Sequence, residues 1–356
     1  MSKNFPIHER PESSAEALVR MVELEKIKPE LYNTLIAQDF FTKCCSLPTV
    51  SYYYYLSKIL QAYAPHEIKT LALNAENKFS PPPRTADVAI VTVIPEELLA
   101  AKIALSIDPN TNENEYSNGL RFWETSLLCK GDKEIRVILT MVGEARTMPC
   151  AIACSRLFHV YAVNCSILVG VAAGLKGKVD LGDVIASDHV IDYEGQRLDP
   201  TGPKKRPTTY TPPPQIRRDL MYFSDREAWH RHLKESMITL KQNNIPTPHH
   251  SQEWIPKFDN GVILAGEKLL ANGSLPHLQE EYHDKTRAAE MEGSGFARAC
   301  QEYDIPWLVF RGISDFGDDN NEATRKEWKS TAAMSAATCV VDFLRNTYRQ
   351  KNEIEF

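Results

Sequence analysis

The amino-acid sequence predicts an α/β domain that follows a small all-α bundle. Two observations carry this prediction. From residue 87 onward, apolar β-branched runs of strand length, such as DVAIVTVI at 87–94 and WLVFRGI at 307–313, alternate with segments of helical periodicity. Before residue 77, apolar side chains recur with helical spacing, as at residues 56, 59, 60 and 63. Alternating buried strands and helices favour a domain whose central sheet is largely parallel.

Three parts of the chain differ in composition. Residues 1–76 form the predicted helical bundle, residues 77–86 contain three consecutive prolines and form a predicted linker, and residues 87–350 form the α/β domain. Within that domain, residues 195–260 interrupt the alternation with GQRLDPTGPKKRP and a second proline triplet. We interpret this segment as an insertion or cap with a polar helix at 216–240, and disorder is the alternative.

The other elements of the α/β domain follow from the hydrophobic pattern in chain order. Apolar or β-branched runs predict strands at 87–94, 120–128, 135–142, 166–172, 183–193, 262–265 and 307–313. Apolar residues three and four positions apart predict helices at 96–105, 150–161, 287–303 and 333–344. Because open α/β sheets bind ligands beyond the carboxyl ends of their strands, the residues that follow these strands are candidates for a site.

Charge and composition exclude several classes of partner. The chain carries a net charge of −6, and residues 1–86 have a balance of only +1, so neither part has the basic excess of a nucleic-acid binder. No apolar run approaches the ~18–20 residues of a membrane span, and the first residues lack the apolar core of a signal peptide. The eight cysteines have no framework spacing, so we expect reduced thiols and a cytoplasmic protein.

Acidic residues follow the predicted strands at three places. Glu97 comes after the first strand of the domain, Asp315 comes after the last, and Glu290 and Glu292 begin a predicted helix. Carboxylates at such places can simply cap the next helix. Their convergence on one sheet edge favours catalysis instead, because acid–base chemistry needs two groups with separated pKa values in one pocket.

Four segments resemble the nucleoside phosphorylase superfamily and, within it, the methylthioadenosine/S-adenosylhomocysteine nucleosidases. They are AIVTVIPEELL at 89–99, ILVGVAAGLKGKVDLGD at 167–183, AEMEGSGFA at 289–297 and VFRGISD at 309–315. Their order and spacing make the resemblance specific, and it covers residues 87–348 without the predicted bundle. It implies a phosphorylase/nucleosidase-like central mixed sheet flanked by helices.

The resemblance also implies a role for individual residues in cleaving a purine N-glycosidic bond. Asp315 matches the acid that protonates N7 of the departing purine, and Glu97 matches the carboxylate that acts on the attacking water. Arg311 helps to hold the water and the carboxylate. Glu292 holds the ribose hydroxyls, and Met291 packs under the sugar. We assign substrate contacts as well to Val171, Ala172, Gly174, Leu269, Leu270, Ser314 and Arg146.

Hydrolysis is favoured over phosphorolysis by one phrase. Phosphorolytic members resemble one another in a Gly-Asp-Pro-x-Arg phrase after the first strand. This chain has IPEE at 94–97 instead. A carboxylate at this place repels phosphate. Two departures from the nucleosidases, GVAAG at 170–174 and Leu269 at the place of a stacking aromatic, indicate a different 5′ pocket. A phosphate-dependent phosphorylase and a nucleotide-sensing module without turnover are the alternatives.

The partners expected from the sequence are a small nucleoside or nucleotide and further protein chains. Lys204, Lys205, Arg206 and Arg146 are candidate contacts for a 5′-phosphate. No metal-ligand spacing or dinucleotide fingerprint occurs, so neither a metal nor a redox cofactor is expected. The resemblance implies a homo-oligomer of two or more chains. Superfamily members fused to helical adaptor-like domains look like defence effectors that deplete a nucleotide pool, which makes residues 1–76 a candidate interaction domain.

Overall fold

The structure is a computed structural model that describes residues 84–116, 119–223, 226–248 and 254–347. The predicted bundle at 1–76 and residues 77–83 of the predicted linker lie outside these residues. The described residues of Ala86–Arg156 and Asn164–Glu353 belong to one compact unit. No helix in the described part of the chain is both long and apolar enough to cross a lipid bilayer.

Strands and helices alternate along the described chain. The strands are β1 (Arg84–Thr92), β2 (Asn114–Glu115), β3 (Arg121–Cys129), β4 (Lys133–Met141), β5 (Tyr161–Gly174), β6 (Val184–Asp192), β7 (Gln196–Asp199), β8 (Gly202–Lys205), β9 (Thr208–Tyr210), β10 (Phe258–Ala265), β11 (Thr286–Glu290) and β12 (Trp307–Asp315). The helices are α1 (Pro95–Ala104), α2 (Thr147–Val160), α3 (Pro214–Tyr222), α4 (Arg226–Gln242), α5 (Leu275–Tyr282), α6 (Gly293–Glu302) and α7 (Asn321–Thr347).

One mixed sheet organises the described elements. Its strand order is β11-β10-β6-β12-β5-β1-β4-β3-β2, with β9 added to β6 and a further pairing between β11 and β5. The pairs β1–β4, β6–β10, β10–β11 and β5–β12 are parallel, whereas β3–β4, β6–β12 and β5–β11 are antiparallel. The sheet is therefore mixed, as the resemblance implied, and not largely parallel, as the alternation of strands and helices alone suggested.

The segment at 195–260 contributes to the hydrophobic core. It contains the β7–β8 hairpin, strand β9 and two helices, α3 and α4, where the sequence predicted a single helix at 216–240. Trp229 of α4 is fully buried, and its indole N–H donates to the carbonyl of Ser335 on α7 at 3.2 Å. Phe223 and Leu233 are buried in the same core. These apolar side chains lock both helices against α7, and burying each contributes about 1.5–3 kcal/mol.

The predicted helix at 287–303 is wrong in its first part. Residues Thr286–Glu290 form β11, which pairs with β10 and β5, and only Gly293–Glu302 are helical. The alanines at 288 and 289 favour a helix by intrinsic propensity, but pairing on both sides of this short segment outweighs that preference. As a result, Glu290 ends a strand and Glu292 lies at the start of α6.

Candidate active site

The carboxyl ends of β1, β5, β11 and β12 meet at one cleft. Residues at or next to these strand ends line the cleft. This placement is typical of ligand sites in open α/β sheets. Carboxylates and apolar side chains form most of the walls. The carboxylates are Glu97, Glu290, Glu292 and Asp315, and the apolar side chains include Ile94, Val171, Ala172, Leu269, Leu270 and Met291.

Glu97 is held by backbone N–H groups of two segments, the one that follows β1 and the end of β5. One carboxylate oxygen accepts hydrogen bonds from the N–H of Val93 at 2.8 Å and of Ile94 at 3.2 Å, and the other accepts one from Val171 at 2.9 Å. Ile94 is extended, as residues before proline prefer, and Pro95 begins α1 with a fixed φ. The third helical residue, Glu97, therefore turns back onto the chain that precedes the helix.

Arg311 is the fully buried cation among these carboxylates. Its Nη2 pairs with Glu290 and lies 3.1 Å from Glu292 Oε2, and its Nη1 lies 3.9 Å from Glu97 Oε1. Burial opposes the charge of Arg311, but the three carboxylates together hold its pKa above its usual value. A buried cation matched in this way needs every partner, because an unpaired buried charge is strongly destabilising.

Gly170 makes room for this arrangement. It lies opposite Arg311 in the parallel register of β5 and β12. A Cβ atom at residue 170 would overlap both Arg311 Nη1 and Glu97 Oε1. Only glycine allows the guanidinium and the carboxylate to approach each other across this strand.

Gly170→Ala is expected to lower kcat/KM for base release by about 10²-fold, because displacing a catalytic group by about 1 Å has that effect. Enzyme kinetics and thermal unfolding of the variant measure the two consequences, activity and stability. Gly131→Ala is the control, since Gly131 has a φ of 83° in the turn between β3 and β4 and open space around it. It should lose stability through backbone strain and keep full activity. Equal activity of the two variants would contradict the positioning role of Gly170.

Glu290 and Glu292 are held at the junction of β11 and α6. Glu290 accepts hydrogen bonds from the N–H groups of Glu292 at 3.0 Å and Gly293 at 2.9 Å. Glu292 accepts one from the N–H of Arg146 at 3.0 Å. Burial raises the pKa of Glu292 to about 7 against the opposing effect of Arg311, and the charges of Glu290 and Glu97 add to the rise. Burial raises the pKa of Glu97 as well.

The free energy of unfolding should therefore fall as the pH rises through the raised pKa values of these carboxyl groups. Between the ordinary pKa of 4.5 and the raised value of about 7, Glu292 keeps its proton in the folded chain and has lost it in the unfolded chain. The loss amounts to at most about 3.5 kcal/mol, because one pKa unit corresponds to about 1.4 kcal/mol. Urea unfolding at pH 5 and pH 7.5 should show a smaller loss for Glu292→Gln than for the wild type. The exposed control Glu302→Gln should match the wild type, and an unchanged pH dependence in Glu292→Gln would refute the assignment.

Asp315 ends β12 at the opposite side of β5 from Glu97. Its carboxylate accepts hydrogen bonds from the N–H of Gly317 and the hydroxyl of Ser314, both at 2.9 Å. Burial raises the pKa of Asp315, while these two hydrogen bonds and the charge of Arg325 oppose the rise. A buried carboxyl with a raised pKa retains its proton closer to neutral pH, which suits a general acid.

A comparison with protein families assigns the described domain. The sequence profile of the phosphorylase superfamily matches residues 87–345, which is well over half of the chain. The chain belongs to the phosphorylase superfamily.

Within the phosphorylase superfamily, the relatives found include nucleosidases. "ATP nucleosidase Cap17" from Escherichia coli is 28% identical over 272 residues, which cover 74% of this chain and 52% of that protein. This chain therefore spans about half the length of that relative. The 5′-methylthioadenosine/S-adenosylhomocysteine nucleosidase from Tolumonas auensis is 23% identical over 211 residues, covering 59% of this chain and 81% of that protein.

A solved structure shares the fold. The nucleosidase of the same name from Neisseria meningitidis, in complex with methylthio-immucillin-A, superposes with a TM-score of 0.52 at 18% identity. The match covers 73% of this chain and 98% of that structure. At this identity the likeness concerns the phosphorylase-superfamily fold, a mixed sheet flanked by helices.

The cleft brings together most of the residues named from the sequence. Those that line it are Glu97, Val171, Ala172, Leu269, Leu270, Met291, Glu292, Ser314 and Asp315. Arg311 lies behind the carboxylates. Gly174 does not line the cleft, because the position of its missing Cβ faces Ile313 and Val179. Arg146 holds Glu292 through its backbone N–H, while its side chain is exposed and is not among those that line the cleft. The chemical roles of these residues in a phosphorylase-superfamily reaction stay predictions.

The basic residues predicted to meet a phosphate lie elsewhere. Lys204 pairs with Asp199 at 2.9 Å and Lys205 pairs with Glu281, so both cations of the β7–β8 hairpin are engaged outside the cleft. Among the described residues, the cations that line the cleft are Lys268 and Arg325. Neither was assigned a role from the sequence, although Lys268 directly precedes Leu269, which was named as a substrate contact. Sequence analysis named Glu290 without assigning it a role, although Glu290 is a principal partner of Arg311.

The described residues show no group of three or more His, Cys, Asp or Glu side chains that could hold a metal ion. The positive charge among the carboxylates of this phosphorylase-superfamily site is supplied by Arg311 instead.

Proposed function

We propose that this chain hydrolyses the N-glycosidic bond of an adenine nucleoside or nucleotide to free base and sugar or sugar phosphate. One observation carries the proposal: Asp315 and Glu97 flank strand β5 in a single cleft, each buried and each with a raised pKa. Strands in a sheet lie about 4.8 Å apart, so β1 and β12 are separated by roughly 10 Å, which is room for a ribose and a water molecule.

The acid acts on the base. A purine anion is a poor leaving group, so protonation at N7 by Asp315 as the C1′–N9 bond breaks lowers the barrier. Burial keeps the Asp315 proton available, and the hydrogen bonds from Gly317 and Ser314 fix the orientation of the carboxyl. The pair of electrons from the breaking bond goes to the purine, which leaves as the neutral base.

The second carboxylate acts on water. Glu97 in its ionised form accepts a proton from the attacking water and stabilises the cationic, oxocarbenium-like sugar. Its raised pKa makes it a stronger base near neutral pH, and three N–H donors hold it in place. Glu292, held by Arg311 and the N–H of Arg146, is placed to bind the ribose hydroxyls.

Hydrolysis is supported by the charges around the nucleophile. A phosphate nucleophile would enter beside Glu97 and meet its negative charge. The buried cation nearest to Glu97 is Arg311, and its charge is already matched by three carboxylates. Water carries no charge and needs only an acceptor. The nucleosidases among the relatives, including the ATP nucleosidase, support the same reaction class.

The test is chromatography of adenosine, methylthioadenosine, AMP, ATP and guanosine after incubation with the full chain in phosphate-free buffer. We expect adenine to appear from at least one adenine substrate. Release that depends strictly on added phosphate would favour a phosphorylase. Tight binding measured by calorimetry, with no base released over hours, would favour a sensing module.

We also propose a homo-oligomer of two or more chains and an interaction role for residues 1–76, with depletion of a nucleotide pool as the biological output. The resemblance to oligomeric nucleosidases supports the first part. So does the exposed apolar pair Met148 and Ile152, one turn apart on α2. Light scattering of the full chain measures the oligomer, and a monomer at micromolar concentration would rule it out.

A further inference from the structure

Arg325 is a cation in the cleft that the proposed reaction does not use. It lies near the start of α7, is half-buried, and lines the cleft together with Asp315 and Ile94. Its guanidinium has no hydrogen bond or ion pair to any other described residue, although its charge acts on Asp315 and Glu96. A guanidinium offers five N–H donors in a planar fork and no acceptor, so such a group in a cleft is equipped to bind an anion.

The charge of Arg325 also acts on Glu96, an acidic side chain outside the cleft that already has another partner. Glu96, at the start of α1, forms an ion pair with Lys329, which lies one helical turn beyond Arg325 on α7. Burial opposes the charge of Glu96, but the bonds to Lys329 hold its pKa below its usual value. Lys329 therefore matches Glu96, and the donors of Arg325 stay open to a ligand.

A second cation lines the same cleft. Lys268 follows β10, its side chain is 74% exposed, and its Nζ lies 3.5 Å from Glu194. An exposed ion pair at this distance stabilises little, so Lys268 can leave Glu194 for a ligand at small cost. Arg325 and Lys268 thus give an otherwise acidic cleft two available positive charges.

The stereochemistry of the substrate determines on which face of the sugar a 5′-phosphate lies. In a β-ribonucleoside, the base and the 5′ carbon lie on the same face of the sugar ring, and the water that displaces the base attacks the opposite face. Glu97 therefore belongs to one face, and Asp315 belongs to the face shared by the base and the 5′ group. Arg325 lines the same cleft as Asp315, so this cation is available to a 5′ group on the face that Asp315 serves.

We infer that Arg325, assisted by Lys268, binds the 5′-phosphate groups of the substrate, so that the enzyme selects nucleotides over nucleosides. The inference rests on the proposed function and specifies its substrate class. Arginine suits this role because its planar fork binds two phosphate oxygens at once, while lysine adds a mobile point charge.

The experiment compares kcat/KM for AMP and ATP with that for adenosine in four variants. Arg325→Gln should lower kcat/KM for both nucleotides by about 10- to 100-fold, the usual effect of losing a charge-assisted hydrogen bond to a ligand. Adenosine cleavage and inhibition by free adenine, which report on the base and sugar sites, should change much less than nucleotide cleavage. Arg325→Lys should restore part of the loss, and Lys268→Gln should show a smaller one. Lys326→Gln, an exposed neighbour on α7, is the matched control and should behave as the wild type.

Three results would overturn the inference. They are a wild type that prefers adenosine to AMP and ATP, an Arg325→Gln variant with unchanged nucleotide kinetics, and one that loses adenosine and nucleotide cleavage equally. If the wild type releases no base from any of these compounds, the proposed hydrolysis itself is refuted. Thermal unfolding of each variant shows whether a loss of activity reflects a loss of fold.

Discussion

Asp315→Asn should reduce base release by about 10²–10⁴-fold, the usual contribution of a general acid. The amide has the shape of the carboxyl but no proton to give to N7. Burial raises the pKa of Asp315, which means that the surroundings disfavour the ionised form. The neutral asparagine should therefore leave the midpoint of thermal unfolding unchanged or raise it, and the loss of activity cannot come from a loss of fold. Steady-state kinetics and calorimetry measure the two effects.

Two controls sharpen this experiment. Asp319→Asn removes an exposed carboxylate four residues away, and it should keep wild-type activity. A nitrophenyl riboside, whose leaving group departs without protonation, should be cleaved at similar rates by the wild type and by Asp315→Asn. Purine release by Asp315→Asn within a fewfold of the wild type would show that Asp315 is not the acid.

Arg311→Met should lower the free energy of unfolding by about 3–5 kcal/mol at pH 7, the cost of leaving buried charges without their partner. Arg311 faces Glu97, Glu290 and Glu292, all buried. The loss should shrink at pH 5, where carboxylates with a raised pKa can accept protons and shed their charge. Urea unfolding followed by circular dichroism at both pH values measures the effect.

A double variant separates lost charge pairing from lost packing. Glu290→Gln removes one of the carboxylates that Arg311→Met leaves unpaired, so the double variant should be more stable than the sum of the two single effects predicts. Coupling between sites in one ion-pair network is usually about 0.5–3 kcal/mol. A loss below about 1 kcal/mol in Arg311→Met, or strict additivity with Glu290→Gln, would mean that the network contributes little to stability.

The sequence predicted the buried strands well because their apolar runs leave few alternatives. The runs at 87–94 and 307–313 correspond to β1 and β12, and those at 135–142 and 183–193 correspond to β4 and β6. It failed at β11, where residues 287–290, which have helical propensity, become a strand only through pairing with β10 and β5. Such pairing depends on segments far apart in the chain, which a local pattern does not contain.

The cleft could be predicted where the resemblance supplied phrases and not elsewhere. Glu97, Glu292 and Asp315 stand in such phrases and do line the cleft. Arg325 and Lys268 were not predicted, because their place there depends on how the start of α7 and the segment after β10 fold back onto the strand ends. The cluster at 204–206 looked basic in the sequence, but the structure pairs Lys204 and Lys205 with acidic neighbours.

Hydrolysis requires that water, which gives a proton to Glu97, is the nucleophile. The most direct test is incubation of the full chain with AMP in phosphate-free ¹⁸O-enriched water, followed by mass spectrometry of the products. We predict free adenine without label and ribose 5-phosphate carrying one ¹⁸O atom from the solvent, with added phosphate leaving the rate unchanged. Adenine release only in the presence of phosphate, with a sugar 1-phosphate as the product, would show that phosphate and not water is the nucleophile.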